Sequence, residues 1–258
     1  MSIDAWNQLR HLTNARIALG RSGGSLPTRA RLDFQLAHAR ARDAVHSPFE
    51  AGELASRLRT LGHPVLTVNS AACDRAEFLR RPDLGRRLAP ECRRLLEEQA
   101  SQSLPFDLVV IVSDGLSAQA VATQCEPLLR ALLPLVRRSG WSLAPLIVAR
   151  HGRVALQDEI GVVVKASLSV MLLGERPGLG SADSLGAYFT HGPSIGRRDA
   201  DRNCISNIRE GGLTTANAAA KLYYLIGKSF QFRLSGVQLK DDSAALPPPR
   251  DKRRPRLA

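Results

Sequence analysis

The chain has 258 residues, 44% of them hydrophobic and 23% charged, which is enough apolar material for a sizeable core and excludes a disordered polymer. Its formal net charge of +12 leaves nucleic acid or an acidic protein open as partners, but aromatics make up only 5% of the residues, few for stacking bases. The longest apolar runs, such as Leu108 to Val112, fall far short of the ~20 residues of a membrane span, and Met1 to Leu19 lacks the continuous apolar segment of a signal peptide, so no membrane association is expected and the chain reads as cytoplasmic.

Met1 to Asn14 has the pattern of a short amphipathic helix, and the Gly- and Arg-rich stretch Ala15 to Thr28 reads as a linker or arm. Thr28 is placed to cap a helix from Arg29 to His46, which Ser47-Pro48 stops. These features define an N-terminal helical arm over residues 1–48, ahead of an α/β body over 49–235. In the body, Phe49 to Leu61 reads as a helix closed by Gly62, and Pro64 to Val68 as a strand. Residues 73–103 read as two short helices interrupted around Pro82 and Pro90. Asp107 to Ser113 (DLVVIVS) is the strongest strand, a continuous apolar run of the type buried on both faces of a parallel sheet. A turn at Asp114-Gly115 leads to a helix from Leu116 to Cys125, and Pro127 suits the first turn of a second helix reaching Arg138. The next strand lies within Trp141 to Ala149, a short helix within Arg153 to Lys165, and a further strand over Leu168 to Leu173. Thr214 then caps a helix from Thr214 to Leu225 that continues toward Phe232. Residues 236–258 form a basic tail, rich in Pro and Arg and expected to be disordered.

Strands alternating with helices specify a Rossmann-like parallel sheet flanked by helices, in the α/β class. Right-handed crossovers put the segments that follow Val112 and Leu173 at the same edge of that sheet. The stretch Leu172 to Ile208 is dense in Gly, Pro and Asp, and it reads as a long loop leaving the carboxyl end of a strand, where open α/β sheets hold ligands. The usual phosphate cradles, G-x-x-x-x-G-K-[ST] and G-x-G-x-x-G, are absent, as are a G-x-S-x-G elbow and an H-E-x-x-H pair. Cys73, Cys92, Cys125 and Cys204 are far apart, with no zinc-type spacing, and are expected as free thiols. On residue type alone Cys204 reads as a buried, inert thiol, and Asp199 and Asp201 as turn and capping residues. Glu175 is equally suited to a structural pair with Arg176 and to a ligand.

Several ordered stretches carry a resemblance. They are Ala15-Arg-Ile-Ala-Leu-Gly-Arg-Ser-Gly, Leu32-Asp-Phe-Gln-Leu-Ala-His-Ala-Arg, Val112-Ser-Asp-Gly-Leu-Ser-Ala, Gly152-Arg-Val with Asp158-Glu-Ile-Gly, Gly174-Glu-Arg-Pro-Gly-Leu-Gly-Ser-Ala-Asp-Ser-Leu and Asp199-Ala-Asp-Arg-Asn-Cys-Ile-Ser-Asn-Ile. On these the chain closely resembles the small (light) subunits of ethanolamine ammonia-lyase, over most of its length from Ala15 to about Leu225. The resemblance implies an adenosylcobalamin-dependent lyase that converts ethanolamine to acetaldehyde and ammonia. It implies a large partner subunit, a (β/α)8 barrel carrying the substrate, in a hetero-oligomer with several copies of each subunit. The small subunit would close the cobalamin site at the interface and be inactive alone. Carried over motif by motif, the cobalamin-contacting positions are Val154, Glu175 and Cys204. No residue of this chain is implied as catalytic or as a metal ligand, and no D-x-H-x-x-G motif is present to replace the cofactor's own base on cobalt.

Some members of that family carry a longer N-terminal segment associated with packing into a bacterial microcompartment, whereas Met1 to Asn14 is only a short extension here. The contrasting function is a non-enzymatic protein that uses its basic surface to bind nucleic acid or an acidic partner. The resemblance favours the enzyme subunit, and the scatter of the arginines over predicted helices weighs against a nucleic-acid surface, so no nucleic acid is expected as a partner.

Overall fold

The computed structural model describes Leu9, Leu12, Thr13 and residues 15–101 and 103–242. The expected helix over Met1 to Asn14 and the end of the basic tail from residue 243 lie outside the described residues.

Strand β2 (Phe106–Ser113) is central because its apolar residues are continuous rather than alternating: Leu108, Val110 and Val112 join one core cluster, Val109 and Ile111 the other. Around it the strands β1 (Val65–Asn69), β3 (Leu146–Arg150) and β4 (Ala166–Gly174) run parallel, and β5 (Leu185–His191) and β6 (Asn203–Ile208) extend the sheet antiparallel in the order β1-β3-β2-β4-β5-β6. Helices α2 (Ala51–Arg59), α5 (Ala118–Arg138) and α7 (Thr215–Phe232) bury their apolar stripes against one face. On the other face lie α4 (Pro90–Ser101) and α6 (Leu156–Val163), and the short α3 (Arg75–Arg80) precedes α4 in the chain. Helix α1 (Thr28–His46) buries only Ala37 and Ala44, leaving Leu32, Phe34 and Leu36 exposed. Among the described residues no helix is long and apolar enough to cross a membrane.

The α/β sheet flanked by helices is as expected, with three corrections. First, the stretch read as one long loop contains β5 and β6, so the sheet is mixed rather than all-parallel. Its glycines do not break these strands: Gly186 lies inside β5, paired opposite Leu173, where the missing side chain leaves room for Glu175. Second, residues 118–138 form one helix rather than two. Pro127 and Pro134 are tolerated because Leu128, Leu129, Leu132, Leu133 and Val136 are all buried along it, and that packing outweighs the lost backbone bonds. Third, α1 begins at Thr28 after Pro27, and no side chain caps it. Thr214 does cap α7, accepting a hydrogen bond from the Asn217 backbone N–H.

The parallel strands bring their carboxyl ends to one edge. There β2 turns at Gly115 (φ +52°) and Leu116 N–H donates to the Gly174 carbonyl at the end of β4. Backbone lies against backbone at this crossing, and a Cβ on Gly174 would overlap the carbonyl oxygens of Asp114 and Ser117. Gly174→Ala is therefore expected to lower unfolding free energy by about 1–3 kcal/mol, the usual cost of forced overpacking, and urea denaturation measures it. An unchanged midpoint would show that the two strand ends are free to part.

Candidate functional site

The carboxyl edge is organised by Asp114, 1% exposed, on the turn after β2. Its carboxylate accepts the His151 backbone N–H (2.7 Å), the Ser113 hydroxyl (3.1 Å) and Arg75 Nη1 (2.8 Å). The Ser113 hydroxyl oxygen in turn accepts the Gly152 N–H at 2.8 Å, and a Cβ on Gly152 would crowd that same oxygen. Arg75 reaches further, to the Gly115 carbonyl (2.6 Å) and the Val45 carbonyl at the end of α1 (2.8 Å). Burial outweighs the attraction of Asp114 and pulls the Arg75 guanidinium's pKa down. This network fixes the start of the segment Gly152-Arg153-Val154, which leads into α6.

Val154 is half-buried against the apolar cluster on the α6 face. It lines a cleft of about 470 Å³ shared with Arg86, Arg153, Arg197 and Arg202.

Glu175 follows the last residue of β4. Its Oε2 accepts the Ser184 hydroxyl (2.5 Å) and the Asn207 N–H (3.3 Å), and its own N–H donates to the Ser184 carbonyl (3.0 Å). Among the described residues Oε1 has no donor, and it lies where a side chain on Gly186 would stand. Arg176 forms no ion pair with it, so the structural pairing left open by the sequence does not occur.

Cys204 stands opposite Tyr188 in the β5–β6 register and is exposed, which corrects the expectation of a buried thiol. Burial beside Tyr188, with the Glu175 carboxylate adding to it, still pushes the thiol up to about 11, and the Tyr188 hydroxyl offsets part of the rise. Burial likewise raises the Tyr188 phenol. Glu175, Tyr188 and Cys204 thus form one patch on the side of β5–β6 facing away from α7. Val154 flanks the same apolar cluster as Tyr188, in the adjoining cleft.

The sequence reading misses the pair that joins the two halves. Arg202, at the start of β6, donates Nη1 and Nη2 to Asp158 Oδ1 (2.6 Å) and Oδ2 (2.7 Å), and both side chains are only 3% exposed. Arg202 also donates to the Thr190 hydroxyl of β5 and the Arg197 carbonyl, while Asp199–Asp201 forms a tight turn just before it, as read. Asp158, in the first turn of α6, thereby ties the helix that follows Val154 to Cys204's strand. Residues 44 apart carry no sequence signal of pairing beyond two adjacent carboxylates, Asp158 and Glu159, in a short helix of mainly apolar residues. Tyr188 is also missed, because it lies in the stretch read as a loop, where no strand pairing is expected to position it.

The family model of the ethanolamine ammonia-lyase light chain (EutC) matches residues 3–240. The ethanolamine ammonia-lyase small subunit of Azotobacter vinelandii is 56% identical over 239 residues, covering 92% of this chain and 88% of its own. The small subunits from Pseudomonas fluorescens strain SBW25 and Pseudomonas paraeruginosa strain PA7 are each 52% identical over 239 residues, again 92% of this chain and 86% and 88% of theirs.

Two outcomes test the geometry. Asp158→Ala would strand a buried guanidinium and cost about 3–5 kcal/mol of stability by urea denaturation, whereas Asp158→Ala combined with Arg202→Leu recovers much of it. With its pKa near 11, the Cys204 thiol should be alkylated by iodoacetamide far more slowly at pH 8 than a free cysteine, accelerating as pH rises toward 11. Peptide mapping separates it from Cys73, and a free-cysteine rate at pH 8 would contradict the packing beside Tyr188.

Proposed function

The chain belongs to the ethanolamine ammonia-lyase light-chain family, as the match over residues 3–240 establishes, and from that premise we propose that it is the subunit that closes an adenosylcobalamin site against a large subunit. The observation that carries the reading is the patch on the open side of β5–β6. Exposed Cys204, half-buried Tyr188 and the Oε1 of Glu175, which has no donor among the described residues, share one surface, and Val154 stands beside it.

These residues suit a corrin. A corrin is a broad, mostly apolar disc fringed with neutral amides, so it calls for a flat surface, isolated acceptors for amide N–H groups, and small residues that permit close approach. Glu175 Oε1 supplies such an acceptor, held in place by Ser184 and Asn207. Gly186, lacking a side chain, leaves the room that this carboxylate occupies. Cys204, its thiol neutral at physiological pH, presents a small, polarisable contact rather than a charged ligand.

The bound cofactor supplies a homolysable cobalt–carbon bond, and with it the radical chemistry of the elimination. This chain's residues bind, orient and shield. Glu175 and Cys204 hold the rim, the Asp158–Arg202 pair keeps their strand fixed relative to Val154, and the protein surface excludes water from the interface. The proposed catalytic centre and ethanolamine belong to the large subunit. The reading makes the assembly a hetero-oligomer with several copies of each subunit, acting in the cytoplasm or within a microcompartment.

Binding tests the reading directly. In the complex of both subunits, Glu175→Ala and Cys204→Trp should each weaken adenosylcobalamin about 10-fold or more, with the thermal unfolding of the chain unchanged. Normal affinity in both variants would remove these residues from the site.

A further inference from the structure

Arginines crowd the cleft beside Val154, and their partners are unevenly shared. Arg202 is matched by Asp158, and Arg93, in an adjoining cleft of about 540 Å³, by Glu97 and Glu159. Asp199 lines the first cleft too and lies 3.7 Å from Arg202, whereas Arg86, Arg153 and Arg197 have no carboxylate in salt-bridge range among the described residues. Arg197 donates Nε to the Gly192 carbonyl and Nη2 to the carbonyls of His191 and Gly192, which fixes its guanidinium at the rim without neutralising it.

Arg153 is the most constrained of them. Its backbone N–H donates to the Gly85 carbonyl (2.7 Å), its guanidinium lies 4.2 Å over the buried Phe78 ring, and Nη2 donates weakly to the Phe78 carbonyl (3.3 Å). Gly85 has no side chain where the Arg153 stem passes. Among the described residues the buried Nε of Arg153 has no partner. Burial, together with the positive charges of Arg75, Arg86 and Arg176, lowers the pKa of this guanidinium, with only Asp114 opposing. A cation held rigid, flanked by like charges and left with an unused buried donor is arranged for an anion that is not part of the chain.

We propose that Arg153, with Arg86 and Arg197 at the rim, is a seat for a phosphate-type anion beside Val154. Planar guanidinium groups pair with phosphate oxygens in fork geometry, which suits this arrangement better than a single lysine would. The source of the anion rests on the cobalamin reading above: the corrin's side chains are neutral amides, and the cofactor's one fixed negative group outside the corrin is the phosphodiester of its nucleotide loop. Free phosphate is the other source.

The test compares adenosylcobalamin with adenosylcobinamide, which keeps the corrin and lacks the nucleotide loop and its phosphodiester. Dissociation constants are measured for the two-subunit complex carrying the wild-type chain, Arg153→Gln or Arg86→Gln. Loss of one charge-assisted contact should weaken adenosylcobalamin about 10-fold and leave adenosylcobinamide unchanged. Arg86 is exposed, so Arg86→Gln keeps the test decisive if Arg153→Gln fails to fold. Inorganic phosphate, titrated against each complex, separates the sources: competition with adenosylcobalamin that depends on Arg153 places the cofactor's phosphodiester in the seat. Arginine-dependent phosphate binding that leaves adenosylcobalamin affinity untouched keeps the seat and assigns it to free phosphate. Equal weakening of both corrinoids, or no arginine-dependent effect with any of the three probes, overturns the proposal. Failure of the wild-type complex to bind either corrinoid refutes the cobalamin reading instead, and phosphate binding lost in Arg153→Gln would still support the seat.

Discussion

At the carboxyl edge of the sheet, the buried carboxylate of Asp114 gathers hydrogen bonds from Ser113, the His151 backbone and Arg75, and so binds three segments that are distant in sequence. A buried carboxylate is tolerated only when its lone pairs are filled, and here the donors that fill them come from the end of β2, the residue after β3 and the start of α3. His151 and Lys165 both adopt positive φ without being glycine, at 58° and 55°, one on either side of the segment that holds Val154 and α6. The strain at His151 is held by the bond from its N–H to Asp114, so the carboxylate sets the direction in which Gly152-Arg153-Val154 leaves the sheet.

The second consequence lies in the change from parallel to antiparallel pairing after β4. A fifth parallel strand would require another crossover helix, and that helix would cover the sheet. By turning back directly, β5 and β6 leave Tyr188 and Cys204 beyond the cover of α4 and α6, while α7 seals the opposite face with Ala218, Leu222 and Ile226. The sheet is thus closed on one side and open on the other where the Glu175 carboxylate stands. The Asp158–Arg202 pair prevents that open half from shifting relative to the parallel half.

Much of this is legible in the residues, for identifiable reasons. The strand at 106–113 announces itself because burial on both faces demands an unbroken apolar run, and the meeting of the segments after β2 and β4 follows from the handedness of the crossovers. Glu175, Val154 and Cys204 come from motif resemblance, and their residue types alone do not single them out. Residues 174–208 mislead because glycine density is a local signal, whereas β5 and β6 are stabilised by pairing with each other and with β4, which is tertiary. The same reason hides the unbroken α5, whose two prolines are outweighed by the sheet beneath it. Arg202 pairs across 44 residues, a separation no local pattern records.

Reconstitution puts the central claim most directly at risk. Ammonia release from ethanolamine in the presence of adenosylcobalamin is measured for this chain alone, for the large subunit alone, and for the two mixed. Activity confined to the mixture is the result the proposal predicts, because it gives this chain a surface for the cofactor and leaves the substrate's reacting groups to the large subunit. An inactive mixture with a folded large subunit, or full activity of the large subunit alone, would contradict a site that needs this chain to close it.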